Sequence, residues 1–369
     1  MNAFDVQVHG AGIVGHSLAL ALARLGLKVA LRRDAAAAGR ADDVRAYALN
    51  PASVALLRSL KVWDALPAHA ATAVYDMQVH GDASGAALEF SAWEQRVGAL
   101  ATITDAAVLE RELAAAVRFA PHVTFTDSDV DASLTAICDG RASARRDSLG
   151  AGFERHDYGQ RAIAARLTAA QPHRGIARQW FRAPDVLALL PFDAPQPGHS
   201  YALVWSLPDA RAGELLAADA PAFEQALMQA TGADAGELKL ASARAAWPLQ
   251  LGRAERWCGR GWVLLGDAAH VVHPLAGQGL NLGLADVAML ARVIAAREPW
   301  RELGDERLLR RYERERAAPT WAMGEMTDGL LRLFSHRSPA LAELRNRGLT
   351  LVNRLTPLKR WLTGQALGS

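Results

Sequence analysis

A chain of 369 residues exceeds the size at which one hydrophobic core keeps growing, so two lobes are expected. With 51% apolar and 22% charged residues it has ample core and is not a disordered chain. The net charge of +2, with no basic stripe interleaved with aromatics, leaves no nucleic-acid footprint, and two cysteines, Cys138 and Cys258, make neither a disulfide scaffold nor a zinc set, which fits a reducing cytosol.

Residues 4–9, FDVQVH, read as a strand that runs into Gly10-Ala11-Gly12-Ile13-Val14-Gly15 and then a long apolar helix to about Leu25. Gly10 suits the tight turn, Gly12 lets the backbone approach a pyrophosphate, and Gly15 allows the helix to pack closely on the strand. A second strand at residues 28–31 completes the order strand, GxGxxG, helix, strand that dinucleotide binding requires. No charged segment precedes the hydrophobic one and Arg24 lies near the helix end, so this is neither a signal peptide nor a membrane span.

An Ala-rich link, residues 35–38, leads to Arg45 and a helix over residues 53–60. A strand-like stretch follows over 74–90, with Gly81 and Gly85 as turn signals. Helical periodicity returns at 106–117 through Val108, Leu109, Leu113 and Val117, so the dinucleotide domain is interrupted. After the apolar residues 134–137 comes Cys138-Asp139-Gly140, by itself a simple turn, since Asp and Gly both tolerate left-handed backbone. From about residue 156 to 251 the pattern changes to short runs, 162–167, 186–190 and 202–207, divided by Pro and Gly, with one clear helix at 223–230. That composition suits an antiparallel sheet roofing a pocket.

The densest signal comes late, where Trp262-Val263-Leu264-Leu265 runs into GDAAHVVHPLAGQGLNLGLAD. A strand ends at the carboxylate of Asp267, the chain turns through Pro274 and Gly277-Gln278-Gly279, and a helix opens with Leu280 and Asn281. Unpaired N–H groups and the positive end of the helix dipole then meet at one point, where an anion or an anionic ring edge is stabilised, which is a cofactor site. His270 and His273 are spaced like metal ligands, but no third or fourth candidate is close in sequence, so the expectation is a structural role and no metal. Residues 302–316, ELGDERLLRRYERER, alternate in sign and read as a solvated face laced with weak ion pairs. Beyond them Leu341, Leu344, Leu351, Leu355, Leu358 and Leu362 recur at helical spacing beside Arg345, Arg347, Arg354, Lys359 and Arg360. They form either a helix packed on the body with a basic outer face or a surface that meets membrane or partner proteins.

Together, GxGxxG, the Asp139-Gly140 pair and GDAAHxxHPLAGQGLNLG resemble the FAD-dependent aromatic-ring monooxygenases of the p-hydroxybenzoate hydroxylase type. Within that group the chain most resembles the ubiquinone-biosynthesis hydroxylase family, with further matches at Arg45-Ala46-Tyr47-Ala48-Leu49, Tyr158-Gly159-Gln160, LALLP, LVWSLP, Trp247-Pro248-Leu249 and Lys359-Arg360-Trp361. The resemblance covers essentially the whole chain. It implies an α/β fold in which a Rossmann-like FAD-binding domain, residues 1–73, 99–155 and 252–330, is interrupted by an antiparallel-sheet substrate domain, residues 74–98 and 156–251, with C-terminal helices at 331–369. It also implies a cytoplasmic enzyme, or one peripheral at the inner membrane face, in which NAD(P)H reduces FAD and dioxygen adds to it. The resulting flavin hydroperoxide delivers oxygen to an aromatic ring, that of a polyprenylated phenol in ubiquinone biosynthesis. The flavin carries the chemistry, so no side-chain nucleophile is needed.

On the same resemblance Gly10, Gly12, Ile13, Val14 and Gly15 face the pyrophosphate, Arg45 reaches the pyrophosphate or ribose, and Asp139 shapes a turn nearby. Asp267 bonds the ribityl chain, Gly277, Gln278, Gly279, Leu280 and Asn281 face the pyrimidine edge, Pro274 lines the ring, and His273 lies near it. Trp180, Trp205 and Trp247 either line a substrate pocket or form plain core. At the end of the second strand the family carries an acid for the adenosine ribose, where this chain reads Leu31-Arg32-Arg33-Asp34, with Arg33 in the slot. Asp34 substitutes from the next position, or FAD is held more loosely, or the arginines take a 2′-phosphate and bind NADP. The last leaves the two later motifs without a ligand, so FAD bound more weakly than the motifs imply is the expectation. Two other readings are a flavin-binding accessory protein without turnover, for which the missing acid is the only hint, and a halogenase relative, disfavoured because the motif WxWxIP is absent.

Overall fold

The computed structural model describes residues 3–33, 43–81, 87–232, 234–272 and 278–335. Its first sheet is built on Phe4–His9, whose Val6 and Val8 are fully buried. That strand lies between Val29–Arg32 and Ala132–Ile137, parallel to both, and the sheet extends to Val123–Thr126 on one side and to Trp262–Leu264 on the other. The helix Ile13–Ala23 is buried along almost its whole length, which explains why its sequence, IVGHSLALALA, is apolar on every side rather than striped. It packs against the helices Ala106–Arg118 and Gln278–Ala295.

Between the strands of this sheet the chain makes a three-stranded antiparallel sheet of Ala46–Leu49, Ala101–Asp105 and Ala71–Val74. Local chemistry sets the helices beside it. Asn50 caps Pro51–Ser59 by accepting from the Ser53 N–H, and Asp105 caps Ala106–Arg118 by accepting from the Val108 N–H. Leu109, Leu113 and Val117, the periodic positions of the second helix, are buried.

The second large sheet runs in the order His270–Val271, Ala245–Ala254, Phe153–Ala169, Ser200–Pro208, Asp185–Phe192, Ile176–Arg182, Asp76–His80, Ala87–Ser91. It is antiparallel except where Ile176–Arg182 meets Asp76–His80 in parallel. The run 162–167 belongs to a single strand of 17 residues, Phe153–Ala169, whose register shifts between Asp157 and Arg161, beside Gly159 at φ +62. One face of this sheet, with Ile163, Leu167, Leu187, Leu203, Trp180 and Trp205, packs on Phe223 and Leu227 of the helix Ala220–Thr231. A second helix, Asp209–Ala217, stands in this region where the sequence suggested only one; it carries Gly213 and buries only Ala212 fully, so its apolar stripe is faint.

The last described helix, Glu306–Ser335, overturns the reading of residues 302–316 as a solvated face. Leu308, Leu309 and Tyr312 are fully buried, and Arg316 is only 8% exposed. Arg310 pairs with Glu306 at 2.7 Å on the solvent side, while Glu313 turns inward and accepts from the Trp257 N–H at 2.9 Å. The leucine-spaced segment from Leu341 onward lies outside the described residues.

Candidate cofactor site

The three glycine-bearing turns leave the same edge of the first sheet. His9 is in register with Ile137, and Ile137 with Leu264, so the strand ends that precede Gly10, Asp139 and Asp267 lie side by side. Backbone bonds carry the convergence past the strands: the Cys138 N–H donates to the His9 carbonyl at 2.7 Å, and the Leu265 N–H donates to the Ile137 carbonyl at 3.0 Å. Close contact follows. A Cβ on Gly10 (φ +97) would fall 2.4 Å from the Cys138 oxygen, and one on Gly15 would fall 1.8 Å from the Gly10 oxygen. Val14 touches both later elements, since Cβ atoms on Gly266 and Gly283 would come within 3.2 and 2.8 Å of its Cγ2.

Where the residues should admit a ligand, they leave room. Among the described residues a Cβ on Gly12 or Gly140 would meet nothing within 4 Å, and one on Gly279 would meet only Val272, at 4.0 Å. Asp267 opens to solvent, yet the surrounding protein is dense enough that burial pushes its carboxyl above the ordinary value against the pull of His270, Arg141 and Arg45. Among the described residues nothing hydrogen-bonds its carboxylate. A carboxylate held in a recess with bare backbone around it fits the hydroxyl chain and pyrophosphate of a dinucleotide.

Supporting charges surround this edge. Buried Arg146 donates from Nη1 to the Arg141 carbonyl at 3.2 Å and the Ala268 carbonyl at 3.3 Å, tying the middle turn to the late one. Asp286, in the helix Gln278–Ala295, accepts from the Gly266 N–H at 3.0 Å. It also meets His270 Nε2 at 2.6 Å and Arg316 Nε at 2.7 Å. His270 is also stacked on Trp257, with ring centroids 5.0 Å apart. Below the first turn, Asp129 bridges Arg32 and Arg145, and burial, with Arg145, lowers the pKa of the adjacent His9 to about 4, so its ring is neutral at pH 7.

Other expected site residues are placed as follows. Arg45 is engaged by Asp43, with Nε 2.8 Å and Nη2 2.5 Å from its carboxylate, and its guanidinium lies 5.8 Å from the Tyr47 ring centroid. Burial pushes the Tyr47 hydroxyl up to about 12, so it stays protonated. Arg33 lies over the Phe125 ring at 4.9 Å and 3.7 Å from Asp127, both partners of the pair being exposed. Asn281 spends its side chain on the protein: Oδ1 accepts from the Asn50 N–H at 2.9 Å and from Ser53 Oγ at 2.8 Å, and Nδ2 donates to the Ala48 carbonyl at 2.8 Å. Ile13 is buried behind the first turn, Leu280 packs on the main core, and Asp139 is half-buried beside Gly140 at φ +87. Asp34, His273, Pro274 and Gly277 lie outside the described residues, as does the side chain of Gln278. Trp180 and Trp205 are core, 1% and 0% exposed, whereas Trp247, beside Ala162, is half-buried on the opposite sheet face.

Sequence reasoning missed four supporting residues. Asp286 had a signal, a lone acid in the apolar run LNLGLADVAML. Arg146 and Arg316 were hidden among other arginines, and Arg166 in a strand run whose only other charge nearby is Arg161.

A family profile described as FAD binding domain matches residues 104–327. The chain is 34% identical to the ubiquinone hydroxylase UbiL of Rhodospirillum rubrum, over 99% of this chain and 90% of that protein. It is 29% identical to the 3-demethoxyubiquinol 3-hydroxylase of Escherichia coli, over 99% of this chain and 98% of that one. The crystal structure of the p-nitrophenol 4-monooxygenase PnpA from Pseudomonas putida shares the fold, with a TM-score of 0.79 at 17% identity, covering 100% of this chain and 99% of that one. Fold and site together thus define a flavoprotein whose cofactor is FAD. The chain belongs to the ubiquinone-biosynthesis hydroxylase family of FAD-dependent aromatic-ring monooxygenases. It is an enzyme, a nicotinamide reductant is typical of its family, and an aromatic substrate and dioxygen fit its chemistry. No helix among the described residues is long and apolar enough to cross a membrane.

Proposed function

We propose that this chain hydroxylates the ring of a polyprenylated phenol or quinone precursor in ubiquinone biosynthesis. The observation that carries the site is the alignment of His9, Ile137 and Leu264, which brings all three motifs to one sheet edge. On this reading residues 1–73, 99–155 and 252–330 bind the cofactor, and residues 74–98 and 156–251 bind the substrate. The backbone of Gly10–Gly15 receives the pyrophosphate with Arg45, Asp267 accepts from the ribityl hydroxyls, and the helix start from Gly277 to Asn281 supports negative charge on the ring's pyrimidine edge. Bound FAD supplies two-electron reduction by a nicotinamide donor and activation of dioxygen.

The chain's own part is to hold, orient and exclude water. The reading of the second sheet as a roof is supported by its packing: its Phe192 packs with Ala46 and Ala48, and the Ala48 carbonyl is the one that Asn281 holds. On that sheet face Ala162, Ala164, Ala188 and Ala202 are small, and Trp247 borders them, which suits an apolar ring. Incubation with FAD, NAD(P)H, oxygen and a short-chain prenylphenol tests the proposal: product mass should rise by one oxygen. Tight flavin binding without product across several phenols would instead favour an accessory role. With Arg33 lying against Phe125, FAD is held more weakly than the motifs imply, and stoichiometric flavin surviving dialysis would overturn that. The C-terminal segment, residues 331–369, carries a basic, leucine-spaced sequence suited to peripheral contact with a membrane or biosynthetic complex. Liposome co-sedimentation with and without it decides, and lipid-independent behaviour ends the membrane version.

A further inference from the structure

The turn Gly266-Asp267-Ala268 is held from beneath by charges that are shut off from solvent. Asp286 is fully buried and takes the Gly266 N–H, His270 Nε2 and Arg316 Nε on its two oxygens. Arg316 comes from a different helix, Glu306–Ser335, and its Nη2 also donates to the Leu282 carbonyl at 3.1 Å, so one guanidinium grips both the acid and the helix that carries it. Burial alone would raise the Asp286 carboxyl, but His270 and Arg316 outweigh it and hold the group below the usual carboxylate range. A buried ion pair gives little net stability over well-packed apolar side chains, so stability alone does not account for two charges there. What the pair does fix is direction. Gly266 stands at φ +58, a left-handed conformation, and its N–H is locked on Asp286 immediately before Asp267.

We infer that Arg316 is a positioning residue for cofactor binding: through Asp286 it sets the Gly266 backbone and thereby the direction in which Asp267 presents its carboxylate. This rests on the reading of Asp267 as a ligand of the ribityl chain. Lysine cannot replace it fully, because a single ammonium does not reproduce the fork that reaches Asp286 and Leu282 together.

The test is FAD titration of the flavin-free protein, followed by flavin fluorescence, on Arg316→Met, Arg316→Lys, Asp267→Asn and the double variants, with far-UV circular dichroism confirming the fold. Loss of a supporting contact at a binding site costs about 10- to 100-fold in affinity, so Arg316→Met should raise the FAD dissociation constant about tenfold, and Arg316→Lys less. Combined with Asp267→Asn, either change should add no further loss, because both act on one contact. Wild-type affinity in Arg316→Met, or losses that multiply in the double variant, would overturn the inference while leaving Asp267 in place. If Arg316→Met does not fold, Arg316→Lys carries the same comparison. Unchanged affinity in Asp267→Asn alone would remove Asp267 as a ligand and this inference with it.

Discussion

At Gly12 an added methyl group would meet nothing among the described residues within 4 Å, while at Gly15 it would fall 1.8 Å from the Gly10 oxygen. Packing within the protein thus demands a glycine at position 15 and not at position 12. Gly12→Ala should leave the thermal stability of the flavin-free protein nearly unchanged and weaken FAD binding, whereas Gly15→Ala should destabilise the fold itself by about 1–3 kcal/mol through overpacking. Melting and flavin titration of the pair measure the contrast. Asp267 poses a related conflict. Burial raises its pKa, so its anion costs the folded state stability in full above that raised value, a cost that shrinks as pH falls through it and is gone below the ordinary carboxylate value. Asp267→Asn should accordingly melt higher than wild type at neutral pH without flavin, with the gap closing in acid. The same change should cost about 2 kcal/mol of FAD binding, roughly 30-fold, by removing charged hydrogen-bond acceptors.

For the elements, the decisive join is the start of the helix Gln278–Ala295. Asn281, only 4% exposed, ties it to the Ala48 carbonyl of one strand and to Asn50 and Ser53 at the start of the next helix. The residue was expected at the helix start that faces the pyrimidine edge, and its side chain is bonded to the protein rather than left free there. It thereby sets where the helix begins, which is the more general requirement, since a dipole acts only at the spot to which the helix is pinned. Asn281→Ala should destabilise the protein by about 2–3 kcal/mol, the loss of several buried hydrogen bonds, as read from denaturant unfolding. Flavin affinity should fall in parallel, and a variant that loses stability but keeps full affinity would show that the helix start does not depend on this clamp.

Across the whole molecule, Arg166 links the long, mainly antiparallel sheet to the small three-stranded one. Its guanidinium is 7% exposed, stacks 3.9 Å from the Phe192 ring centroid, and from Nη2 reaches the Arg45 carbonyl at 2.9 Å and Asp105 at 3.1 Å. Removing one partner of such a buried pair leaves the other uncompensated, so Arg166→Met should cost about 3 kcal/mol, part of which Asp105→Asn in the same chain restores. Acid should probe the body differently. Because the folded pKa of Asp286 lies below its ordinary value, the stability it contributes is complete above about pH 4 and is lost as pH falls through the lower folded value. Melting curves at falling pH should show that loss in wild type and a flatter profile in Asp286→Asn.

The sequence by itself determined the motifs and the family, because glycine turns at the ends of strands leave a local trace that survives without any partner: GxGxxG, Asp139-Gly140 and GDAAH were all legible as written. It also carried the periodic helix Ala106–Arg118, whose buried stripe repeats at the helical period. Only the tertiary structure decided which side chains serve those turns. Asp286, Arg146, Arg316 and Arg166 bond partners as far as 122 residues away, as in the bond from Arg146 to Ala268, and a charge paired at such distance looks in sequence like any surface charge. The sorting of Trp180 and Trp205 onto one sheet face and Trp247 onto the other likewise depended on strand register, since a shift of one residue exchanges the two faces of a sheet.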